Sequence, residues 1–367
     1  NLECRFCGYS HASARFERVT AEEVEAFQPL RHARVLRLNS GIGEPTLDRH
    51  LGAIVERVTT RFPQLNLNFF TNALTLTRHD LLRSVVGRVR WVNASLNAAG
   101  RAAWREQCGL DLFDQVVAQL AALRDARRAA GAVWPLVLGS IVVNRRNLAE
   151  LPRLPRLCRE LGLDRLTAFP YFALVAEGPG RFGPEETLEA CRDEYDALYD
   201  ETVAEARLHE VSLEIPPPRA RKHTAFGLEV RPLHDFARVE VNEWSLSRLL
   251  CAVDFPAPPG AHCAFLWRQA AMGSTTRLSR APEVGHFLYP CLGPLGAVDY
   301  SRSTALHPAR PESFGAAWNS RAFTRLREAQ SRPGVCAVCD ACRAVDTRDP
   351  RRHQELRRLV DEYSRTV

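Results

Sequence analysis

Over residues 1–215 the chain alternates short apolar runs with amphipathic stretches. The runs are rich in Val, Ile, Leu or Phe and are bounded by turn or capping residues, which is typical of buried β-strands. In the stretches between them, apolar residues recur with the period of an amphipathic helix. Strands that are joined by such crossover helices pair in parallel. The sequence therefore predicts an α/β fold, with strands at residues 35–39, 65–70, 89–95, 136–143, 165–169 and 211–215.

Three of the helical stretches are well delimited. Thr20 and Glu23 have the spacing of a capping box, in which each side chain accepts a hydrogen bond from the other residue's backbone. Asn147 opens a second helix, and Gly162 is placed to end it in a left-handed turn. A third helix is predicted over residues 112–129.

The composition changes after three consecutive prolines at residues 216–218. The following stretch has no clear period, and the chain beyond it has shorter segments that are separated by Gly and Pro. We predict a core at 1–218, a linker at 219–250, a small cysteine-rich domain at 251–345 and a C-terminal helix at 346–367.

Charge and hydropathy exclude two classes of partner. The net charge is +6, from 49 basic and 43 acidic residues, and the basic residues are spread along the chain. Nucleic-acid-binding proteins usually concentrate them in a patch, so no nucleic-acid partner is predicted. No stretch approaches the roughly 20 apolar residues of a membrane span, so no membrane partner is predicted. The chain starts at Asn1 and its only methionine is Met272, so we expect a fragment or a processed product.

The 11 cysteines are clustered. Cys4 and Cys7 form one Cys-x-x-Cys pair, and Cys336 and Cys339 form another near the C-terminus. In a reducing compartment such pairs are metal ligands or redox thiols, so we expect a cytoplasmic protein. Three further cysteines lie on helical stretches and are interpreted as small core residues: Cys108, Cys158 and Cys191.

The segment from Asn1 to Cys7 resembles the cluster loop of the radical S-adenosylmethionine superfamily, which reads Cys-x3-Cys-x-aromatic-Cys. Cys4 and Cys7 match its second and third cysteines, Phe6 matches the aromatic residue, and the first cysteine would precede Asn1. The resemblance implies that these thiolates hold a 4Fe–4S cluster whose fourth iron binds S-adenosylmethionine, with Phe6 against the adenine. A fragment without the first cysteine should bind that cluster poorly. Taken alone, the pair is better explained as a zinc half-site or as a surface accident.

Three later segments resemble the same superfamily in order. Gly41-Ile42-Gly43-Glu44-Pro45 is similar to its Gly-Gly-Glu-Pro segment, although Ile42 departs from the usual glycine. The resemblance implies that the backbone of this loop and the Glu44 carboxylate bind the methionine ammonium. It further implies that Asn72 follows the next strand in a Thr-Asn-Gly segment, where Ala73 replaces the glycine. Ser95 near the ribose or methionine and Arg105 at the methionine carboxylate complete the expected cofactor site.

The C-terminal cysteines resemble the twitch or shortened SPASM extension of the superfamily. The resemblance implies one auxiliary 4Fe–4S cluster, with Cys342 or Cys251 as a substitute ligand. A zinc ribbon is the alternative, because four thiolates suit tetrahedral zinc equally well. The implied ligands are Cys263, Cys291, Cys336 and Cys339.

The implied fold is a partial (β/α)6 barrel that lacks its first strand, followed by a small cysteine-rich α+β domain. An unpaired sheet edge is then expected at or beside residues 35–39. The implied activity is reductive cleavage of S-adenosylmethionine to a 5′-deoxyadenosyl radical. That radical abstracts hydrogen from a peptide or a small natural product, with oxidation, epimerisation or crosslinking as the outcome. Flavodoxin or ferredoxin would donate the electron. The alternative is a non-catalytic zinc or iron–sulfur scaffold.

Overall fold

The computed structural model describes most of residues 20–216 and only short pieces elsewhere. Its chain divides into two compact units, one of residues 1–11, 33–229 and 233–253 and the other of residues 12–32, 230–232 and 254–367. The described residues are Leu2, 4–7, 20–31, 33–39, 43–171, 182–216, Pro218, Ala237–Val239, Ala271–Ser274, His286–Tyr289, His307–Pro308, Ala316, Asn319 and Thr324.

A seven-stranded sheet organises the first unit. Its first six strands are parallel and follow the order of the sequence, and the seventh pairs with the sixth in the antiparallel sense. The α/β class is thereby confirmed, with the sequential parallel order expected of a partial (β/α) barrel. The strands are β1 Val35–Arg37, β2 Asn66–Thr71, β3 Trp91–Ser95, β4 Leu136–Val143, β5 Arg165–Pro170, β6 Ser212–Ile215 and β7 Ala237–Val239.

Strand β1 forms one edge of this sheet. Among the described residues it pairs with β2 alone, and Val35 keeps 39% of its surface exposed. The expectation of an edge at residues 35–39 is therefore confirmed for the described part of the chain. Strand β7, by contrast, lies in the stretch for which the sequence predicted only a linker.

Helices connect successive strands of this unit. The predicted helix at 112–129 is present as Phe113–Ala129. The helix predicted from Asn147 begins as a 3-10 helix, Leu148–Arg153, because Pro152 has no N–H with which to continue an α-helical ladder. The α-helices are α2 Leu51–Arg61, α3 Leu81–Val85, α4 Arg101–Cys108, α5 Phe113–Ala129, α6 Leu154–Leu161 and α7 Arg192–Leu208, and the other 3-10 helices are Pro45–Leu47, Arg78–Asp80 and Pro184–Glu186.

The two faces of the sheet differ in exposure. Alternate strand residues that point toward the helices, such as Leu67, Val92 and Leu166, are fully buried. A Cβ on Gly139 would lie 3.1 Å from the Leu163 side chain, which shows how closely the helix side is packed. The opposite face, called here the inner face, keeps partial exposure at four strand ends. These residues are Phe70, Ser95, Val142 and Phe169.

The second unit has its own small elements. Helix α1, Ala21–Ala26, begins at the predicted capping box, in which Thr20 N donates to Glu23 Oε2 (2.7 Å) and Glu23 N donates to Thr20 Oγ1 (3.2 Å). A 3-10 helix, Gln28–Arg31, follows. Further along the chain lie three antiparallel strands in the order β10-β9-β8: β8 Ala271–Ser274, β9 His286–Tyr289 and β10 His307–Pro308. Among the described residues of both units, no helix is long and apolar enough to cross a bilayer.

One ion pair joins three elements at the start of β4. Arg127 Nη1 donates to Asp164 Oδ2 (2.6 Å) and to the Pro135 carbonyl (2.9 Å), and Nη2 donates to the Gly162 carbonyl (3.0 Å). The Asp164 carboxylate also accepts from Val137 N (2.7 Å). This mostly buried pair therefore holds α5, the end of α6 and the first residues of β4 together.

We expect Asp164→Ala to lower the free energy of unfolding by about 2–4 kcal/mol, because Arg127 and Val137 N lose a buried charged acceptor. Urea unfolding followed by circular dichroism measures the change. Asp125→Ala is the matched control, since Asp125 pairs with Arg124 at the surface and should leave stability unchanged. Equal losses in the two variants would contradict this role of Asp164.

Candidate functional site

The Cys4–Cys7 segment is a tight turn held by backbone hydrogen bonds. Cys7 N donates to the Cys4 carbonyl (3.0 Å). Arg5 N donates to the Gln107 carbonyl in the last turn of α4 (2.9 Å), and Phe182 N donates to the Arg5 carbonyl (3.3 Å). The turn is thereby fixed between the helix after β3 and the segment that precedes α7.

Phe6 contributes an apolar surface beside this turn. It packs against the buried cluster of Tyr171 and Phe182, which lie at the end of β5 and before α7, and Val142 of β4 packs against the same cluster. Tyr171 and Phe182 meet edge to face at 6.2 Å, and Tyr171 Oη donates to the Phe182 carbonyl (2.6 Å). An apolar wall of this kind suits a planar base. The role of Phe6 against adenine stays a prediction.

Cys108 makes a contact that the sequence analysis missed. Its thiol is fully buried, as predicted for a core residue, yet it is hydrogen-bonded to the Cys4 side chain. This hydrogen bond and burial raise the pKa of Cys108, which favours the protonated thiol. Nothing in the spacing of residues 4 and 108 signals the contact, because it depends on how α4 returns to the cysteine turn.

A buried amide network lies behind the cysteine turn. Gln107 and Asn144 exchange two side-chain hydrogen bonds (3.2 and 2.8 Å). Asn147 Oδ1 accepts from Asn144 N (2.9 Å), and its Nδ2 donates to the Asn97 carbonyl (3.0 Å). Asn97 Oδ1 in turn accepts from Val142 N (3.2 Å). These bonds tie the ends of β3 and β4 to the helix that carries Cys108.

Glu44 connects two of the predicted cofactor segments. Its Oε1 accepts from Thr46 N (3.1 Å), Thr46 Oγ1 (2.7 Å) and Thr71 Oγ1 (2.7 Å). Its Oε2 accepts from Asn72 N (2.6 Å). The carboxylate therefore holds the loop after β1 against the end of β2, and its binding of a ligand ammonium stays a prediction.

The backbone around these residues has the left-handed geometry that glycine favours. Gly43 has φ +77°, and Ala73 has φ +60° although its Cβ disfavours that region. Ala73 N donates to Thr71 Oγ1 (2.9 Å), which helps to hold the turn. The departure from glycine at residue 73 therefore leaves the turn geometry intact. Pro45 begins the 3-10 helix that follows, and Gly41 lies outside the described residues.

Ser95 ends β3, within the strand that the sequence predicted, and Arg105 lies on α4. Ser95 is half-buried at the carboxyl end of β3, and Arg105 is exposed on α4. Among the described residues no carboxylate pairs with Arg105. Asn72, at the end of β2, accepts a hydrogen bond from Leu74 N at its Oδ1 (3.1 Å). The proposed cofactor contacts of these three residues stay predictions.

The predicted auxiliary site falls outside the described residues, so the structure neither supports nor opposes it. Within the described part of the chain, no group of three or more Cys, His, Asp or Glu side chains is arranged to hold a metal ion. The cysteines concerned are Cys251, Cys263, Cys291, Cys336, Cys339 and Cys342.

Thiol reactivity should separate the cysteine turn from the core. Burial raises the pKa of Cys158 to about 12 and that of Cys191 to about 11. Because the thiolate is the reactive form, iodoacetamide at pH 8 should modify Cys4 and Cys7 and spare those two. Peptide mass spectrometry after timed quenching measures this, with urea-unfolded protein as the control. Labelling of Cys158 as fast as Cys4 in the folded protein would contradict the assignment.

Glu44→Ala should lower the free energy of unfolding by roughly 1–3 kcal/mol, because the hydrogen-bond donors of Thr46, Thr71 and Asn72 lose this acceptor. Amide hydrogen exchange at Asn72 should accelerate at the same time. Glu56→Ala is the matched control, since the Glu56 carboxylate accepts from Ser84 Oγ alone among the described contacts (2.9 Å). Unchanged exchange at Asn72 would show that Glu44 does not hold this turn.

The chain matches no known protein-family profile, and no curated protein is similar to it at a significant level. Two solved structures with a similar fold are Streptococcus suis SuiB bound to precursor peptide SuiA (TM-score 0.42, 15% identity, 54% of this chain and 43% of that chain) and SuiB bound to S-adenosylmethionine (0.42, 16%, 54% and 44%). A third is TYW1 with a lysine-pyruvate adduct bound (0.37, 13%, 57% and 68%). The chain spans less than half the length of the SuiB structures.

Proposed function

We propose that this chain is the core of a radical S-adenosylmethionine enzyme. The observation that carries the proposal is the cysteine turn, whose backbone is hydrogen-bonded to the end of α4 and to Phe182. Open parallel sheets bind ligands beyond the carboxyl ends of their strands. The residues that hold this turn belong to segments that follow the carboxyl ends of β3 and β5.

The donor set fits an iron–sulfur cluster. Cys4 and Cys7 supply two soft thiolate ligands from one turn, and a cluster with an open iron needs one more. When bound, such a cluster supplies the electron that cleaves S-adenosylmethionine. The buried Cys108 thiol is hydrogen-bonded to Cys4, and hydrogen bonds to ligand sulfurs are a means by which proteins tune such centres.

The other residues of the site would bind and orient the nucleotide. Phe6 offers an apolar surface to the adenine, and the loop at Gly43 and Glu44 brings backbone carbonyls to the ammonium. Arg105 has a guanidinium that suits a carboxylate, and Ser95 provides a hydroxyl for the ribose or methionine.

The finer assignment rests on the sequence. It comprises hydrogen abstraction from a peptide or small natural product, with oxidation, epimerisation or crosslinking as the outcome, and flavodoxin or ferredoxin as the electron donor. One auxiliary cluster held by the C-terminal cysteines and a cytoplasmic location complete the proposal.

Anaerobic reconstitution with iron and sulfide tests this function. The full-length protein, with the cysteine expected before Asn1, should bind roughly eight irons if both clusters form, and reduction should release 5′-deoxyadenosine from S-adenosylmethionine. Cys4→Ala and Cys7→Ala should each abolish nucleoside release and remove about four irons. Cys191→Ala is the control, because this core thiol should affect neither measurement. Tightly bound zinc with no nucleoside release would instead establish a non-catalytic scaffold.

A further inference from the structure

Arg37 ends the edge strand β1 with a guanidinium group that is held in place. Its register partner on β2 is Asn68, so both side chains lie on the inner face of the sheet. Arg37 Nε donates to Asn68 Oδ1 (3.1 Å), and Asn68 is itself fully buried. A surface arginine is ordinarily free to change its rotamer, whereas this one is anchored to an interior residue.

The guanidinium of Arg37 lies over the ring of Phe70. Its central carbon is 5.0 Å from the ring centroid, within the range of a cation–π contact. Phe70 is two residues beyond Asn68 on the same face, close to the carboxyl end of β2. The Arg37 side chain therefore extends along the inner face toward the strand ends, where open parallel sheets bind their ligands.

Asn39 fixes the backbone of Phe70. Its Oδ1 accepts from Phe70 N (2.8 Å), and its Nδ2 donates to the Phe70 carbonyl (3.0 Å) and to the Gly43 carbonyl (3.4 Å). The asparagine side chain thus continues the pairing of β1 with β2 beyond the end of β1. The aromatic ring and the guanidinium over it are consequently held by hydrogen bonds from both strands.

The remaining donors of Arg37 are available to a ligand. Among the described contacts its Nε makes the only hydrogen bond of the side chain, and no carboxylate in that part of the chain pairs with it. The residue is exposed at the sheet edge, so a ligand can reach it. The protein around the guanidinium removes part of its hydration, which lowers the pKa of Arg37. A partly desolvated cation gains more from a bound anion than a fully hydrated one.

We infer that Arg37 binds a carboxylate of a peptide ligand, either an acidic side chain or the C-terminus. The planar guanidinium presents N–H donors that match the oxygens of a carboxylate. A free amino acid has an ammonium beside its carboxylate and would need an acceptor there as well. The described acceptors next to the guanidinium, Asn68 Oδ1 and the Phe70 carbonyl, already accept from Arg37 and Asn39. The ligand carboxylate is therefore one without a neighbouring ammonium.

Small probes test the site on the whole chain. N-acetylglutamate N-methylamide carries a side-chain carboxylate, N-acetylalanine carries a C-terminal one, and N-acetylglutamine N-methylamide is the uncharged match of the first. In protein labelled with 15N-phenylalanine, the two carboxylates should shift the backbone signal of Phe70 saturably at constant ionic strength, and the uncharged probe should not. The carboxylate that binds more tightly identifies the source of the group.

Arg37→Gln removes the guanidinium and should weaken binding of the carboxylate probes about tenfold, the loss expected for hydrogen bonds to a charged group. Arg34→Gln is the matched control, because Arg34 is an exposed arginine directly before β1 whose side chain has no partner among the described contacts. It should change the affinity less than about twofold. The 15N spectrum of each variant verifies that it is folded.

As recognition of the reacting substrate, this site rests on the proposed function; as a carboxylate site, it does not. The titrations need neither a cluster nor S-adenosylmethionine, so failure to release 5′-deoxyadenosine would leave their result intact. The inference is overturned by the absence of saturable shifts, by equal binding of the uncharged probe, or by equal effects of Arg37→Gln and Arg34→Gln. Tighter binding of free methionine than of either carboxylate probe would also overturn it and would assign Arg37 to the amino-acid end of the cofactor.

Discussion

The site depends on one backbone hydrogen bond, from Arg5 N to the Gln107 carbonyl. A cysteine turn of four residues has no core of its own and needs a rigid support. Helix α4 provides it, because Gln107 is fully buried and its side chain is locked in the amide network with Asn144. The position of the two half-buried thiols, Cys4 and Cys7, is thus set by polar groups in the interior, where a lost hydrogen bond is hard to replace.

The same helix carries the third sulfur of this region. Cys108 follows Gln107 directly, so the helix end that anchors the turn also brings a buried thiol to Cys4. Backbone anchoring and thiol contact are therefore coupled: any shift of α4 would change both. Glu44 also fixes two segments at once. Its carboxylate accepts hydrogen bonds from the loop after β1 and from the end of β2.

Local patterns were sufficient to predict the parallel sheet, because each strand is an apolar run bounded by turn residues. The capping box at Thr20 and the left-handed end at Gly162 were predicted for the same reason. Features that depend on distant contacts were not predictable. Strand β7 forms by pairing with β6 and has no periodic signal, and the Cys4–Cys108 contact joins residues more than a hundred positions apart. The network of Gln107, Asn144 and Asn147 likewise gives no pattern in the sequence.

The edge strand β1 has a consequence for the behaviour of the molecule in concentrated solution. A long, flat and apolar edge would invite strands of other molecules to extend the sheet. Strand β1 offers only three residues, and the last of them is the exposed Arg37. An edge strand this short offers few backbone hydrogen bonds to a second molecule. Its terminal Arg37 would also repel the Arg37 of that molecule, so the sheet has little tendency to extend between molecules.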